Sequence, residues 1–472
     1  MSIVIDKHTS LVGLSLIGLS VLPFFMTNAF HDSQRLITVI AMAFIVIYQL
    51  KNPIKQSLTT IWLLSLFLVF GSIITLNSMS AEWSSLEFIL FSTLAAAILL
   101  NKNTIHENTI RHWVVIFSIT QAIYILRGLL NYIFIILHND PLDVWNIIDG
   151  FSNIRFYAQF LSWTLPFIIA YLCFNKSEKY RSWIIAIAVS SWIMVLMSGT
   201  RAFMVGMAFS LLATLWFTPR LWRSYTKWTL LTGIWGLIGY ILLIFIIPSL
   251  VGIDNNAALN STINRDFSNS SGRVQIWLDT IHIILNNPYM GIGPMMTAME
   301  GSLDKVAHPH NFPLQLAAEW GIPFAIAFGI VMAYLGTTWR KLIARNPELH
   351  EPLALPITAA VSSAIAASMV DGLMVMPVSL FYMAIILGLA TALWRDWTPN
   401  TYRITIPLGL TSVFLLSALS LAAITTYQWQ ALSEKDTSSY RLEPRFWADG
   451  KIRTNIQTHG SRPRQPAAQA RH

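Results

Sequence analysis

Charge is what this sequence most lacks. Only 11% of its 472 residues are charged, against about 25% in a soluble protein. With 54% hydrophobic residues and a mean hydropathy of +0.55, a soluble globular chain is excluded, and an all-α polytopic membrane protein is expected. Cysteine is nearly absent as well. The single Cys173 lies in an apolar run, which excludes an intrachain disulfide and a multi-cysteine metal site. The chain contains no Asp-x-Asp pair, no His-Glu-x-x-His and no Gly-rich phosphate loop, so neither a metal nor a cofactor is expected. Any anion to be stabilised would then fall to arginine. No cleavable signal sequence is evident, and the first apolar run reads as a retained helix. There is no internal repeat, and no soluble stretch large enough to bury its own core. The net charge of +8 does not point to nucleic acid, because the placement of the cations matters more than their sum.

What is present is a series of apolar runs. Crossing a bilayer takes roughly 20 apolar residues, and about thirteen candidates occur, near 11–30, 35–50, 57–76, 85–100, 112–137, 154–174, 182–199, 202–218, 228–249, 312–337, 353–370, 374–394 and 404–426. Alternate loops differ sharply in charge. One set holds Lys51, Lys102, Lys176, Arg220, Arg340 and Arg395; the other holds most of the acids, among them Asp140, Asp149, Asp254 and Asp304. The positive-inside rule puts the first set, with the N-terminus, in the cytoplasm. The tail from about 427 conflicts with this count. Thirteen spans put it outside, yet it carries Lys435, Arg441, Arg445, Lys451 and Arg453. Residues 427–472 are expected to be a disordered basic tail following a membrane domain over 1–426.

One outer loop is long, about 250–311. Within it Ser271-Gly272 is positioned to cap a helix starting at Arg273, and the apolar residues of 273–284 recur at helical spacing, as in a helix lying at the membrane interface. Asn287-Pro288 ends that helix, and Gly291-Ile292-Gly293-Pro294 is a turn. The loop closes on His308-Pro309-His310-Asn311. An interfacial helix, a tight turn and this entry could together roof a cavity between spans.

The polar residues that stand out crowd this same face. A terminal arginine is usually an interfacial anchor. Three of them, Arg155, Arg201 and Arg273, on a face with few other cations are less easily dismissed, because planar guanidinium groups can hold a diphosphate bidentately. His310 is the candidate base, since histidine is the side chain most often used as one near neutral pH. His308 and Asn311 would support it. Glu319, about two turns into the next span, is expected to pair with one of these arginines or face water. Asp371 could do the same or cap a turn.

These residues resemble a family. Ser198-Gly199-Thr200-Arg201, Ser271-Gly272-Arg273-x-x-Ile276-Trp277, Asn287-Pro288-x-x-Gly291-Ile292-Gly293 and His308-Pro309-His310-Asn311 occur in the order found in the O-antigen ligase and polymerase superfamily. Asp371-Gly372 with Pro377-Val378-Ser379 is similar to its late-helix pattern, so the signature region covers about 198–380. The resemblance implies a GT-C type glycosyltransferase of about 12–13 transmembrane helices, whose long periplasmic loop contains short helices. It implies an active site on the periplasmic face of the bacterial inner membrane. The donor would be a glycan on undecaprenyl diphosphate and the acceptor lipid A–core, with membrane lipid around the protein, no nucleic acid, and a monomer acting alone. By matching position, Arg201 and Arg273 would bind the diphosphate and His310 would take the proton of the acceptor hydroxyl. Arg155, Asn311, His308 and Asp371 would contribute to substrate binding. A polymerase joining two lipid-linked glycans is the alternative. A protein O-glycosyltransferase would carry a Glu-Tyr-Pro-Leu-type motif where this chain has Val370-Asp371-Gly372-Leu373, and a large C-terminal domain. A transporter would place polar residues at mid-span.

Overall fold

Among the described residues the apolar runs fold as helices, though the run at 312–337, read as one span, is two helices divided at Gly321, and the reasons that they start and stop are local. The computed structural model describes residues 7–25, 30–50, 55–99, 105–174, 178–262, 272–299, 301–303, 306–398, 403–433, 445–448 and 452. In chain order the helices are α1 (Lys7–Val21), α2 (Phe30–Leu50), α3 (Leu58–Leu76), α4 (Ala81–Leu99), α5 (Glu107–His138), α6 (Val144–Ile147), α7 (Ile154–Tyr171), α8 (Glu178–Ser198) and α9 (Arg201–Phe217). They continue with α10 (Pro219–Ile241), α11 (Ile247–Val251), α12 (Asn256–Thr262), α13 (Arg273–Asn286), α14 (Phe312–Trp320), α15 (Ile322–Arg345), α16 (Pro347–Ser368), α17 (Pro377–Trp397) and α18 (Leu408–Ser433).

Proline opens α10, α14, α15, α16 and α17 within their first two residues, where its missing N–H costs nothing and its fixed φ suits a helix. Inside a helix it is tolerated where something else takes the freed carbonyl. Pro248 cannot bond to Ile244 O, and a π-helical turn over Leu242–Ile246 joins α10 to α11 there. Asn255 Nδ2 donates to that carbonyl at 2.9 Å.

Among the described residues ten helices are long and apolar enough to cross a membrane: α2, α3, α4, α5, α8, α10 with α11, α15, α16, α17 and α18. The protein is an all-α polytopic membrane protein. Helices α1, α7 and α9 complete the bundle. Helix α7 is less apolar because protein surrounds it. Every residue from Tyr157 to Tyr171 is buried, and its polar groups are paired, as in Trp163 Nε1 donating to Ser379 Oγ at 2.9 Å. The outward faces of α3, α10, α15 and α18 carry exposed Leu, Ile, Phe and Trp side chains, as lipid-facing helices do.

A short antiparallel ribbon, β1 (Lys55–Ser57) with β2 (Arg403–Thr405), pairs Gln56 with Ile404 and ties together two turns at one end of the bundle. The other end is rich in loops. There the tail returns. Arg445, Phe446 and Trp447 are buried, and Ile452 N donates to Ala298 O at 3.0 Å. The expectation of a disordered tail is corrected at these residues: an ion cluster and an aromatic pair hold them in the protein. These tail residues thus lie at the loop-rich end. The proline-rich stretch at 461–468, read as disordered, lies outside the described residues.

Candidate active site

Three loops meet at the loop-rich end. The first is the turn between α16 and α17, and Asp371 is its hub. The Asp371 Oδ1 atom accepts from Gln159 Nε2 of α7 at 3.0 Å and from Gly372 N at 2.7 Å. It lies 3.6 Å from His310 Nδ1. Burial alone would raise the carboxyl's pKa. The His310 ring, the Gly372 N–H and the Arg273 charge outweigh burial and hold it below its usual value, since each favours the ionised form.

The second loop carries the histidines. His310 has φ of 52°, a left-handed conformation that a side chain rarely adopts and that accumulates at functional sites. Its backbone N–H donates to His308 Nδ1 at 3.3 Å, so that nitrogen is unprotonated. The two rings stand 4.3 Å apart. His308 is 1% exposed. Burial first, then the neighbouring His310 and Arg445, holds it well below the usual histidine pKa, and it is a neutral imidazole. Asn311 caps α14: its Oδ1 accepts from Leu314 N at 3.0 Å, and its Nδ2 donates to Met369 O at 3.0 Å. Both ends of the amide are committed to the protein, so Asn311 fastens the histidine loop to the end of α16.

The third segment is α13. It begins at Arg273, as the sequence implies, after Gly272 with φ of 74°; Ser271 lies outside the described residues. Trp277 Nε1 donates to Pro309 O at 3.0 Å, tying this helix to the histidine loop, and the Arg273 charge acts on Asp371. The Gly291–Pro294 turn packs against the end of α14. Gly293 N donates to Glu319 O at 3.0 Å and Ile292 N to Ala318 O at 2.9 Å, so it closes the C-terminal end of α14.

Arg201 and Arg155 sit at the same end. Gly206 of α9 packs on α16 so closely that an added Cβ would lie 2.5 Å from Ser363 O. Both Arg201 and the end of α16 are five residues from that contact, roughly 7–8 Å along the axes. Arg155 is one turn before Gln159, the residue that holds Asp371.

Sequence reasoning missed an ion cluster beside this site. Arg445 is 2% exposed and forks onto two buried acids. Its Nη2 is 2.7 Å from Glu319 Oε1 and 2.8 Å from Glu87 Oε1. Glu319 was expected to pair with one of the three candidate arginines or to face water; it is buried and pairs instead with Arg445 from the tail. Glu87 and Arg35 belong to the same cluster. The available signal was an acid and a base lying in or beside apolar runs, which membranes keep only when paired.

Residues 186–329 match the family model for O-Antigen ligase. The match includes Arg201, Arg273 and the histidine loop; Arg155 and Asp371 lie beyond it. No curated protein matches the chain. With its motifs in the family's order, the match over residues 186–329 supports a relation of this chain to the O-antigen ligase and polymerase superfamily.

Proposed function

We propose that the protein is an O-antigen ligase of the bacterial inner membrane. It transfers a polysaccharide from undecaprenyl diphosphate to a sugar hydroxyl of lipid A–core on the periplasmic face. The observation that carries this reading is the pairing of His310 Nδ1 with Asp371 Oδ1 at 3.6 Å, at the bundle end where Arg155, Arg201 and Arg273 begin their helices.

The chemistry follows from these groups. An ionised carboxylate at Nδ1 favours the ring tautomer with its proton there and leaves Nε2 with its lone pair. Nε2 then removes the proton of the acceptor hydroxyl as its oxygen attacks the anomeric carbon. The bond from that carbon to the diphosphate breaks, the configuration inverts, and undecaprenyl diphosphate leaves with the electron pair. Charge grows on the diphosphate oxygens during this step. Guanidinium groups of Arg201 and Arg273, with Arg155 as a further contact, stabilise it. The imidazolium of His310 is stabilised in turn by Asp371.

A lipopolysaccharide gel tests the reading. A strain lacking the protein should accumulate lipid-linked O-antigen and display bare core, and His310→Ala should behave like the deletion while remaining inserted. Core carrying a single repeat in the deletion strain would identify a polymerase. Attachment that persists in the deletion strain would sink the proposal.

A further inference from the structure

The reaction as drawn makes no use of the tail, yet the tail carries one of the most deeply buried arginines in the chain. Arg445 places its Nη1 3.4 Å from Ala307 O and 3.5 Å from Thr297 Oγ1. Ala307 directly precedes His308. Thr297 Oγ1 also donates to Glu319 Oε1 at 2.5 Å. On its other side the segment is gripped by Arg35 of α2. The Arg35 Nε atom donates to Phe446 O at 3.0 Å, while Nη2 donates to Arg445 O at 3.0 Å and to Val375 O at 2.5 Å. Val375 belongs to the Asp371 turn. Ala448 N is taken by Asp32 Oδ1 at 2.6 Å.

Glu87, Glu319 and Asp32 therefore meet Arg445 and Arg35 in one buried cluster. Ions taken out of water are tolerated when paired and hydrogen-bonded; here the carboxylates and the Arg445 fork are bonded, while Arg35 Nη1 has no hydrogen-bond partner among the described residues. What the cluster spans is specific: one arginine reaches the loop bearing His310, the other reaches the turn bearing Asp371, and 445–446 joins them. We propose that Arg445 is a positioning residue and that 445–448 is a strap fixing the histidine loop against the aspartate turn. This rests on the reading of His310 as base and Asp371 as its orienting acid.

The competing account is that Arg445 only neutralises Glu87 and Glu319. The full-length variant Arg445→Met leaves two buried acids uncompensated and can fail to fold. The triple variant Arg445→Met/Glu87→Gln/Glu319→Gln removes all three charges together, leaves Arg35 beside Asp32, and keeps the volumes. In detergent, the strap predicts that peptides spanning 296–310 exchange their amide hydrogens about tenfold faster in this variant. It also predicts that kcat for transfer falls on the order of a hundredfold, while the donor KM stays within about threefold. Arg445→Lys, which keeps charge but not the fork, should exchange faster than wild type as well. A triple variant that exchanges over 296–310 at the wild-type rate overturns the strap. Should the wild-type protein transfer nothing from a lipid diphosphate donor, the ligase reading fails, and the exchange comparison still decides the strap.

Discussion

Gly372 lies directly against the ring of His308: a Cβ built on the glycine would fall 2.8 Å from His308 Nε2 and nearer still to Cε1. No side chain fits there unless the imidazole moves, and the imidazole is what accepts the His310 N–H. Gly372→Ala is therefore expected to displace the histidine loop. Overpacking of this kind costs about 1–3 kcal/mol, which a protein of this size can absorb, whereas a shift of about 1 Å at a catalytic base can cost on the order of a hundredfold in rate. The variant should insert and melt close to wild type but transfer glycan poorly. Wild-type transfer by Gly372→Ala would show that His308 tolerates the shift and does not set the position of His310.

Asp371→Asn keeps an acceptor oxygen for Gln159 and Gly372 but removes the negative charge from His310. In a serine-protease triad the same change costs roughly 10⁴-fold by disfavouring the productive tautomer; a loss of roughly 10²–10⁴-fold in kcat is expected here. Because the Asp371 carboxyl is held below its usual value, it is ionised throughout pH 5–8. The loss should then be equal at every pH in that window. A loss confined to the acid side would mean that Asp371 titrates there and is not a fixed charge.

How far the sequence alone could reach depends on the range of the forces involved. Apolar runs are local, and they became helices, except that 312–337 divides at Gly321, whose φ is 84°, into α14 and α15. The His308–Asn311 loop and the start of α13 were legible because capping and turn chemistry act within a few residues. The pairing of His310 with Asp371 could be suspected only from the order of motifs. Glu87 in an apolar run signalled that it has a partner, but that the partner is Arg445 could not be read, since 358 positions separate them and a run of cations in a tail ordinarily reads as a solvated face. Gln159 was hidden for a related reason. In a helix with protein on all sides, an amide looks like any other polar residue until its partner is known.

The protonation of His308 gives a stability signature that needs no substrate. Its folded pKa lies well below the ordinary histidine value, while in the unfolded chain it is close to 6.5. As the pH falls past about 6.5, the unfolded state takes up a proton that the folded state refuses, so stability is full above that value and is lost below it. The protein in detergent should melt lower at pH 5 than at pH 7, with a contribution of up to about 1.4 kcal/mol per pH unit from this group. His308→Asn retains an acceptor near the His310 N–H and has no proton to gain, so it should flatten that slope. An unchanged slope would assign the acid sensitivity to another group.

The roles of Arg201 and Arg273 can be separated from simple anchoring by changing the shape of the cation while keeping its charge. A snorkelling anchor works nearly as well with lysine, because only the charge has to reach water. A guanidinium that holds two phosphoryl oxygens at once does not, since an ammonium is a point charge without the planar fork. If these side chains grip a diphosphate, Arg201→Lys and Arg273→Lys should each raise the donor KM or lower kcat by about tenfold, roughly the 1.4 kcal/mol that one charge-assisted hydrogen bond contributes. The alanine variants should lose more. Arg273→Lys keeps a positive charge near Asp371, so its deficit should lie in donor binding, measured as KM, with the pH profile of kcat left in place. Lysine variants as active as wild type at both positions would return the two arginines to the role of interfacial anchors.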